Sequence, residues 1–270
     1  QEGFRKSRGT GRQAQSLVWL YERAERQGQK VYSVMTDFVS AFDSADHPAL
    51  LRMLRAYNIP DADILASLYR ASPFTVTTPF GSTATIRVGR GCRQGDILSP
   101  LVFDLFVNLL LRHLNEAGVG AMATDDSCIN HKGFADDLGM VTHNLSDMQT
   151  LLDRMRAFCK WSGMEVNMLK TKATAIDFAT GEVPEDLNVE LTRSAAVQTN
   201  ERKTPREVCE LRFDGDHIDF VQPSEPMPYL GYELTLTGNW KAEVEKIRRK
   251  TARIASVLKK HKFTESQGRY

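Results

Sequence analysis

Gly133-Phe134-Ala135-Asp136-Asp137-Leu138-Gly139-Met140-Val141 sets two adjacent carboxylates between short apolar runs. The pattern reads as strand, tight turn, strand, because Asp is depleted in strands and favoured in turns. Two anions side by side repel each other and need a cation or another partner. Hard carboxylate oxygens suit Mg²⁺. An Asp-Asp pair in a solvated turn is also common, so its meaning depends on the rest of the chain.

A third acid closes the β-rich run Val31-Tyr32-Ser33-Val34-Met35-Thr36-Asp37. If this run pairs with the strand after the turn, Asp37, Asp136 and Asp137 meet at one edge of a sheet. Without a cation, such a cluster raises at least one pKa sharply. With two divalent ions it becomes a clamp on the attacking and leaving oxygens of an in-line phosphoryl displacement. Taken alone, Asp37 is equally well a helix cap or a ligand. Arg5, Lys6, Arg8, Arg93 and Lys170 are candidates to hold a triphosphate. Each alone is an ordinary surface charge; with the Gly- and Arg-rich loop Gly89–Asp96 and the acids they make a nucleotide site.

Around these residues the chain reads as alternating helices and strands. Leu17, Leu20, Tyr21 and Ala24 share one helical face that ends at Gly28. Asp46 caps a short helix opened by Pro48, and Asp61 caps another that packs Ile64, Leu65, Leu68 and Tyr69. Phe74–Thr78 and Thr83–Val88 form a hairpin around Pro79-Phe80-Gly81-Ser82. Leu98–Leu114 contains Asp104, Asn108 and Arg112 and reads as a buried helix rather than a membrane span. Residues 116–131 read as a loop. Ser146 and Gln149 form a capping box for a helix with Leu151, Leu152, Met155 and Phe158 at core spacing. A strand is expected at Ala173–Phe178.

From Glu182 to Glu225 acids outnumber bases eleven to five and periodicity fades, which suggests a loop-rich insertion at about 179–226 with one hairpin near Glu210–Val221. A last hairpin joins Tyr229–Tyr232 to Leu234–Leu236. The closing helix, from about Trp240 to His261, is rich in Lys and Arg and carries Val244, Ile247, Thr251, Ile254 and Leu258 at three-four spacing.

The 270 residues allow one large domain or two small ones, and 41% hydrophobic with 26% charged residues is ordinary for a folded chain. A net charge of +1 says nothing about a polyanionic partner, so charge distribution must decide. Four scattered cysteines without CxxC spacing argue against a zinc knuckle or disulfide framework and fit a reducing, intracellular compartment, nucleus or cytoplasm. The opening Gln1 and the basic C-terminal run suggest a piece of a longer protein.

Five segments stand in the order of a known motif series. They are Thr36-Asp37 with Ala41-Phe42-Asp43; Gly91-Cys92-Arg93-Gln94-Gly95 with Leu98-Ser99-Pro100; Phe134-Ala135-Asp136-Asp137; Gly163-Met164-Glu165-Val166-Asn167 with Lys170-Thr171; and Tyr229-Leu230-Gly231. This series resembles reverse transcriptase motifs A to E, and Gly3-Phe4-Arg5 with Arg8 resembles the finger motif before them. The set is most similar to the reverse transcriptase of non-LTR (LINE-type) retrotransposons, over nearly the whole chain. Gly9 and Asp96 depart from that pattern, where Ser and a small residue respectively are usual.

The resemblance implies an α+β polymerase palm, a small antiparallel sheet backed by helices. Partial fingers would span 1–30 and about 44–90 within a palm of 31–239, and a thumb would start at 240–270. It implies template-directed addition of dNTPs to a DNA primer 3′-hydroxyl on an RNA template, with two Mg²⁺ or Mn²⁺ ions. Asp37, Asp136 and Asp137 would hold metal with help from the Phe38 carbonyl. Phe42 would be the aromatic gate against a 2′-hydroxyl, though the spacing also suits an ordinary core ring. Gln94 and Gly95 would line the nascent pair, and Arg5 and Arg8 would hold phosphates. Lys170 would stand by the leaving pyrophosphate. Tyr229, Leu230 and Gly231 would grip the primer end, and Lys246, Arg249 and Arg253 would lie along the duplex backbone. No membrane association is implied. Two rival readings remain: an RNA-templated RNA polymerase, which a polar residue at position 42 would favour, and a decayed or domesticated palm that binds RNA without catalysis.

Overall fold

The computed structural model describes residues 3, 8–70, 73, 75–86, 88–93, 95–192 and 206–260. In chain order the elements are α1 (Thr10–Gln27), β1 (Lys30–Thr36), α2 (Ala41–Ser44), α3 (His47–Ala56), α4 (Ala62–Arg70), β2 (Thr77–Thr78), β3 (Gly81–Ser82) and α5 (Ser99–Asn115). There follow β4 (Ala121–Thr124), β5 (Ser127–Ile129), β6 (His131–Phe134), β7 (Asp137–Thr142), α6 (Leu145–Ser162) and β8 (Lys172–Asp177). The chain continues through β9 (Val189–Thr192), β10 (Arg206–Phe213), β11 (Asp216–Phe220), β12 (Met227–Tyr229), β13 (Tyr232–Leu234) and α7 (Lys241–Lys260).

A seven-stranded sheet in the order β6-β7-β1-β8-β11-β10-β9 runs through the molecule. Alternation along β1 divides the apolar residues between two cores. Tyr32 and Val34 join the larger core, with Leu50 and Leu54 of α3, Phe103 and Phe106 of α5, and Leu151 and Met155 of α6. Val31 and Met35 point the other way, against Leu17, Leu20 and Tyr21 of α1 and against Tyr229 and Leu234. Each such buried side chain contributes about 1.5–3 kcal/mol. The result is an α+β structure, a central sheet with helices on one face and α1 with short hairpins on the other.

Local signals explain many boundaries. Gly28, with φ 60°, ends α1 in the left-handed conformation that costs glycine little. The Asp46 carboxylate accepts the Ala49 N–H at 3.3 Å and caps α3. Gln13 of α1 reaches across to donate to the Gly133 carbonyl at 2.8 Å, which ties α1 to β6.

Several expectations are corrected. Residues 116–131 hold the β4–β5 hairpin rather than a loop. Ala121 and Ala123 are buried beneath α1, and the Met122 N–H donates to His143 Nε2 at 3.0 Å. Neither contact is visible in local sequence. Helix α6 begins at Leu145 with Asn144 as its cap, not Ser146. Gln149 makes no capping box; its amide exchanges two 3.0 Å hydrogen bonds with the Arg212 backbone and fastens β10 to α6. In the stretch 179–226 the expected hairpin is present as β10–β11, but with β9 it extends the main sheet, and β11 runs parallel to β8. The sheet is therefore larger than expected and mixed. The hairpin at 74–88 shrinks to β2 and β3, with Phe74 and Arg87 outside the described residues. In α4, Ile64 and Leu68 face outward while Ala66 and Tyr69 are buried. The apolar stripe of α7, including Val244, Ile247 and Ile254, is exposed rather than packed. Among the described residues no helix is long and apolar enough to cross a membrane.

Candidate nucleotide site

The site grows from the register of three strands. Thr36 pairs with Leu138 and Met35 with Gly139 between β1 and β7, while Met35 pairs with Lys172 between β1 and β8. Continuing the first ladder by one position sets Asp37 opposite Asp137. Side chains opposite each other share a face. Asp37, Asp137 and Lys172 thus leave the same sheet face as Met35, just past the end that α1 covers.

Phe134 pairs with Asp137 across the β6–β7 turn, so Ala135 and Asp136 form its tip. Ala135 has φ 54°, and a side chain at Gly3 would come within 2.7 Å of the Ala135 nitrogen. Gly3 is thus a required close approach behind the turn. Non-glycine residues at positive φ also occur at Ser40, three residues after Asp37, and at Leu230, sparsely populated backbone conformations like that of Ala135.

Lys170 arrives by a different route. The Asn167 N–H donates to the Asp37 carbonyl at 2.8 Å and the Val39 N–H to the Glu165 carbonyl at 2.8 Å. These bonds flank Phe38 and do not use its carbonyl. The turn that follows, closed by Lys170 and Thr171 N–H bonds to the Asn167 carbonyl, swings Lys170 Nζ to 2.8 Å from Asp37 Oδ2. That bond and the Asp37 charge hold the Lys170 ammonium above its usual pKa.

Burial, and then the Asp37 anion, raises the Asp136 pKa. Burial and the neighbouring Asp136 and Asp37 anions push Asp137 up to about 6. The folded state therefore binds this proton more tightly than the unfolded chain, whose Asp titrates near about 3.9. Stability of the metal-free protein should fall as pH rises through about 4 to 6, and not recover above it. Asp137→Asn removes the repulsion. Discounted for partial exposure, the gain is about 1 kcal/mol at pH 7, or about 2–4 °C in Tm, and nil at pH 4. Thermal unfolding in EDTA at both pH values checks this; an equal shift at pH 4 refutes the electrostatic cause.

The donor set suits a hard divalent cation: clustered carboxylates whose protons are held by burial and by mutual repulsion. Among the described residues no three His, Cys, Asp or Glu side chains are already gathered as a metal-binding group. Lys170 supplies the counter-charge to Asp37 instead. The residue chemistry fits such an ion.

The cleft beside Asp37 and Asp137 has a volume of about 400 Å³, and its far wall is the β12–β13 hairpin. Tyr229 donates to the Lys132 carbonyl at 2.9 Å and its ring lies over Gly139, where an added Cβ would stand 3.5 Å from it. Leu230 and Gly231, at φ 51° and 85°, form the tip. Lys246 of α7 is engaged within the chain: Nζ bonds the Gly231 carbonyl at 2.6 Å and Glu233 at 3.0 Å. Its charge is compensated there, so it braces the hairpin instead of lying open to a phosphate backbone. Arg249 and Arg253 are exposed.

Phe42 is half-buried on α2 and stacks on Phe103, centroids 4.0 Å apart at 23°, an arrangement worth about 1 kcal/mol beyond area. Gly95 is exposed at φ 82°. Asp96 accepts the Leu98 N–H at 2.9 Å and turns the chain into α5. Arg8 is exposed just before α1. Arg5 and Gln94 lie outside the described residues. Lys172 is a cleft residue that sequence reasoning missed; its signal was the two-residue spacing from Lys170. It pairs with Asp219 of β11 at 2.5 Å, which brings the 206–220 hairpin to the edge of the site.

Residues 1–234 match the reverse transcriptase (RNA-dependent DNA polymerase) family. The chain is 28% identical to a retrovirus-related Pol polyprotein from a type-1 R2 retrotransposable element of Popillia japonica, over 89% of this chain and 39% of the relative. It is 26% identical to the corresponding polyprotein from a type-2 R2 element of Drosophila melanogaster, over 88% of this chain and 21% of the relative. It thus spans well under half the length of these relatives. Among solved structures, telomerase from Candida tropicalis in complex with a fragment of telomeric RNA superposes with a TM-score of 0.50 at 14% identity, over 66% of this chain and 33% of that one. An apo telomerase from the same organism, truncated from its C-terminal domain, gives 0.50 at 15% identity over 81% and 41%. At this identity the likeness concerns the fold alone, and it is that of a polymerase palm.

Proposed function

This chain belongs to the reverse transcriptase (RNA-dependent DNA polymerase) family, and on that premise we propose that it adds deoxynucleotides to a DNA primer 3′-hydroxyl on an RNA template, as part of a non-LTR retrotransposon polyprotein. The observation that carries this reading is the convergence of Asp37, Asp137 and Lys170 from three separated segments on one cleft, with Asp136 at the turn beside them and within electrostatic reach of Asp37 and Lys170. Residues 31–239 act as palm, 1–30 and about 44–90 as partial fingers, and 240–270 as the start of a thumb.

Asp37 and Asp136 would hold Mg²⁺ or Mn²⁺, with Asp137 and the Phe38 carbonyl in support, and ions held there would supply Lewis-acid activation and charge neutralisation for phosphoryl transfer. The chain's own residues do the rest. Lys170 Nζ, kept protonated by Asp37, moves to the leaving pyrophosphate and gives it a proton. Lys172, paired with Asp219, fixes the β11 edge of the same wall. Arg5 and Arg8 hold phosphates from the fingers, and Gln94 and Gly95 line the nascent pair. The Phe42 ring leaves a 2′-hydroxyl without space or partner. Tyr229, Leu230 and Gly231 hold the primer end, and Arg249 and Arg253 follow the duplex backbone. An intracellular site of action, where dNTPs and RNA are both present, belongs to the same proposal.

The test is primer extension on an RNA template with dNTPs and Mg²⁺. Elongation that EDTA stops is expected. Extension with ribonucleotides alone would instead mark an RNA-templated RNA polymerase. Template binding without extension would mark a palm that has lost its chemistry.

A further inference from the structure

A ring rejects a hydroxyl only as well as it stays in place. An apolar surface that can yield by an ångström discriminates weakly against one added hydroxyl. Phe42 sits on poor foundations of its own. Helix α2 has four residues and starts from Ser40 at φ 44°, and the Phe42 side chain is only half-buried. Its stiffness must come from elsewhere.

Two features supply it. The first is Phe103, fully buried in α5, whose ring stacks against the Phe42 ring at 4.0 Å. Close-packed surroundings leave Phe103 no room to retreat. The second is the Gly-rich loop, which is fastened along α2. The Cys92 N–H donates to the Phe42 carbonyl at 2.7 Å and the Gly91 N–H to the Ala45 carbonyl at 2.8 Å. A side chain at Gly91 would come within 2.9 Å of the Asp43 backbone. His47 completes the clamp: Nε2 donates to the Gly91 carbonyl at 2.9 Å, and its ring sits edge-on to Tyr69 at 4.9 Å. The acceptor is a carbonyl, so this bond requires the Nε2–H form.

We propose that Phe103 is a positioning residue that sets sugar specificity, backing the Phe42 ring at fixed height while the His47-clamped loop holds the Phe42 backbone. The proposal rests on the reading of Phe42 as the ring that faces the sugar. It adds that discrimination is a property of the Phe42–Phe103 pair and of the loop bound to it. Neither Phe103 nor His47 need touch the nucleotide for this to hold.

Steady-state single-nucleotide incorporation tests it, with dCTP and CTP opposite a template G. Phe103→Leu keeps an apolar side chain but removes the flat backing. The expected result is a fall of about fivefold or more in the dCTP/CTP ratio of kcat/KM, carried mainly by a lower KM for CTP, with kcat for dCTP within twofold. His47→Phe keeps the ring against Tyr69 and removes only the bond to Gly91. It should shift the same ratio in the same direction by a smaller factor, and it decides the matter if Phe103→Leu does not fold. Phe42→Val runs alongside. An unchanged ratio in the Phe103 and His47 variants, with a collapsed ratio in Phe42→Val, overturns the proposal and leaves the gate standing. An unchanged ratio in Phe42→Val overturns both.

Discussion

Asp136→Asn is expected to reduce Mg²⁺-dependent primer extension by at least ~10³-fold, equivalent to about 4 kcal/mol of transition-state stabilisation. The substitution is nearly isosteric. It keeps one oxygen and the turn geometry, and it removes the charge. Asp136 is a cleaner choice than Asp37, because Asp37 also accepts the 2.8 Å bond from Lys170 and takes the Asn167 N–H on its carbonyl. Removing the Asp37 charge would release Lys170 and confuse two effects. Asp136 is raised in pKa by burial and by Asp37, so its anion is already at a disadvantage in the metal-free fold. Loss of that anion should leave folding intact, and thermal unfolding checks this. A variant that folds and still extends primers within tenfold of the parent would remove Asp136 from the metal-binding role. A matching loss of Mn²⁺ affinity, measured by calorimetry without substrate, would support it independently of turnover.

Phe42→Val is the second large effect. Replacing the ring with a small β-branched side chain opens space where the sugar 2′ position is proposed to lie. The deoxy-over-ribo ratio should fall by about 10²-fold, near the limit of what a shape-based contact against one hydroxyl supplies. The change should appear in ribonucleotide KM, with dNTP turnover altered less than threefold, because the ring touches no reacting atom. The cost in stability is expected at about 1–3 kcal/mol, since a half-buried ring and its stack on Phe103 are lost. Single-nucleotide incorporation on an RNA template, with each dNTP compared against the NTP of the same base, reads the ratio directly. An unchanged ratio would make Phe42 an ordinary ring at the margin of the core.

Much of this was legible in the residues. The β6–β7 turn could be read because Asp-Asp between apolar runs has few other stable settings. The C-terminal glycine of α1 and the Asp46 cap of α3 were also local signals. What was missed has one character. Ala121-Met122-Ala123 has weak strand propensity and becomes a strand only because α1 covers it and His143 receives its N–H. Gln149 looked like half a capping box until the Arg212 backbone claimed it. The acidic stretch looked like a solvated excursion, yet Cys209, Leu211, Phe213 and Ile218 are buried in it, and its Asp219 reaches Lys172. Lys246 looked like one more cation on a basic helix until the Gly231 carbonyl took it.

The sequence by itself determined which groups are available and in what order: the acids at 37, 136 and 137, the lysine at 170, the ring at 42 and the glycines that let the backbone approach closely. These are matters of side-chain chemistry and of turn geometry within a few residues. Only the tertiary structure decided which of them meet. Lys170 stands against Asp37 because the Glu165–Asn167 segment bonds the backbone beside Asp37, and Phe42 has a flat ring at its back because Phe103, 61 positions away, is buried against it. Such pairings depend on strand register and on burial against partners distant in the chain, and no window of sequence contains both members.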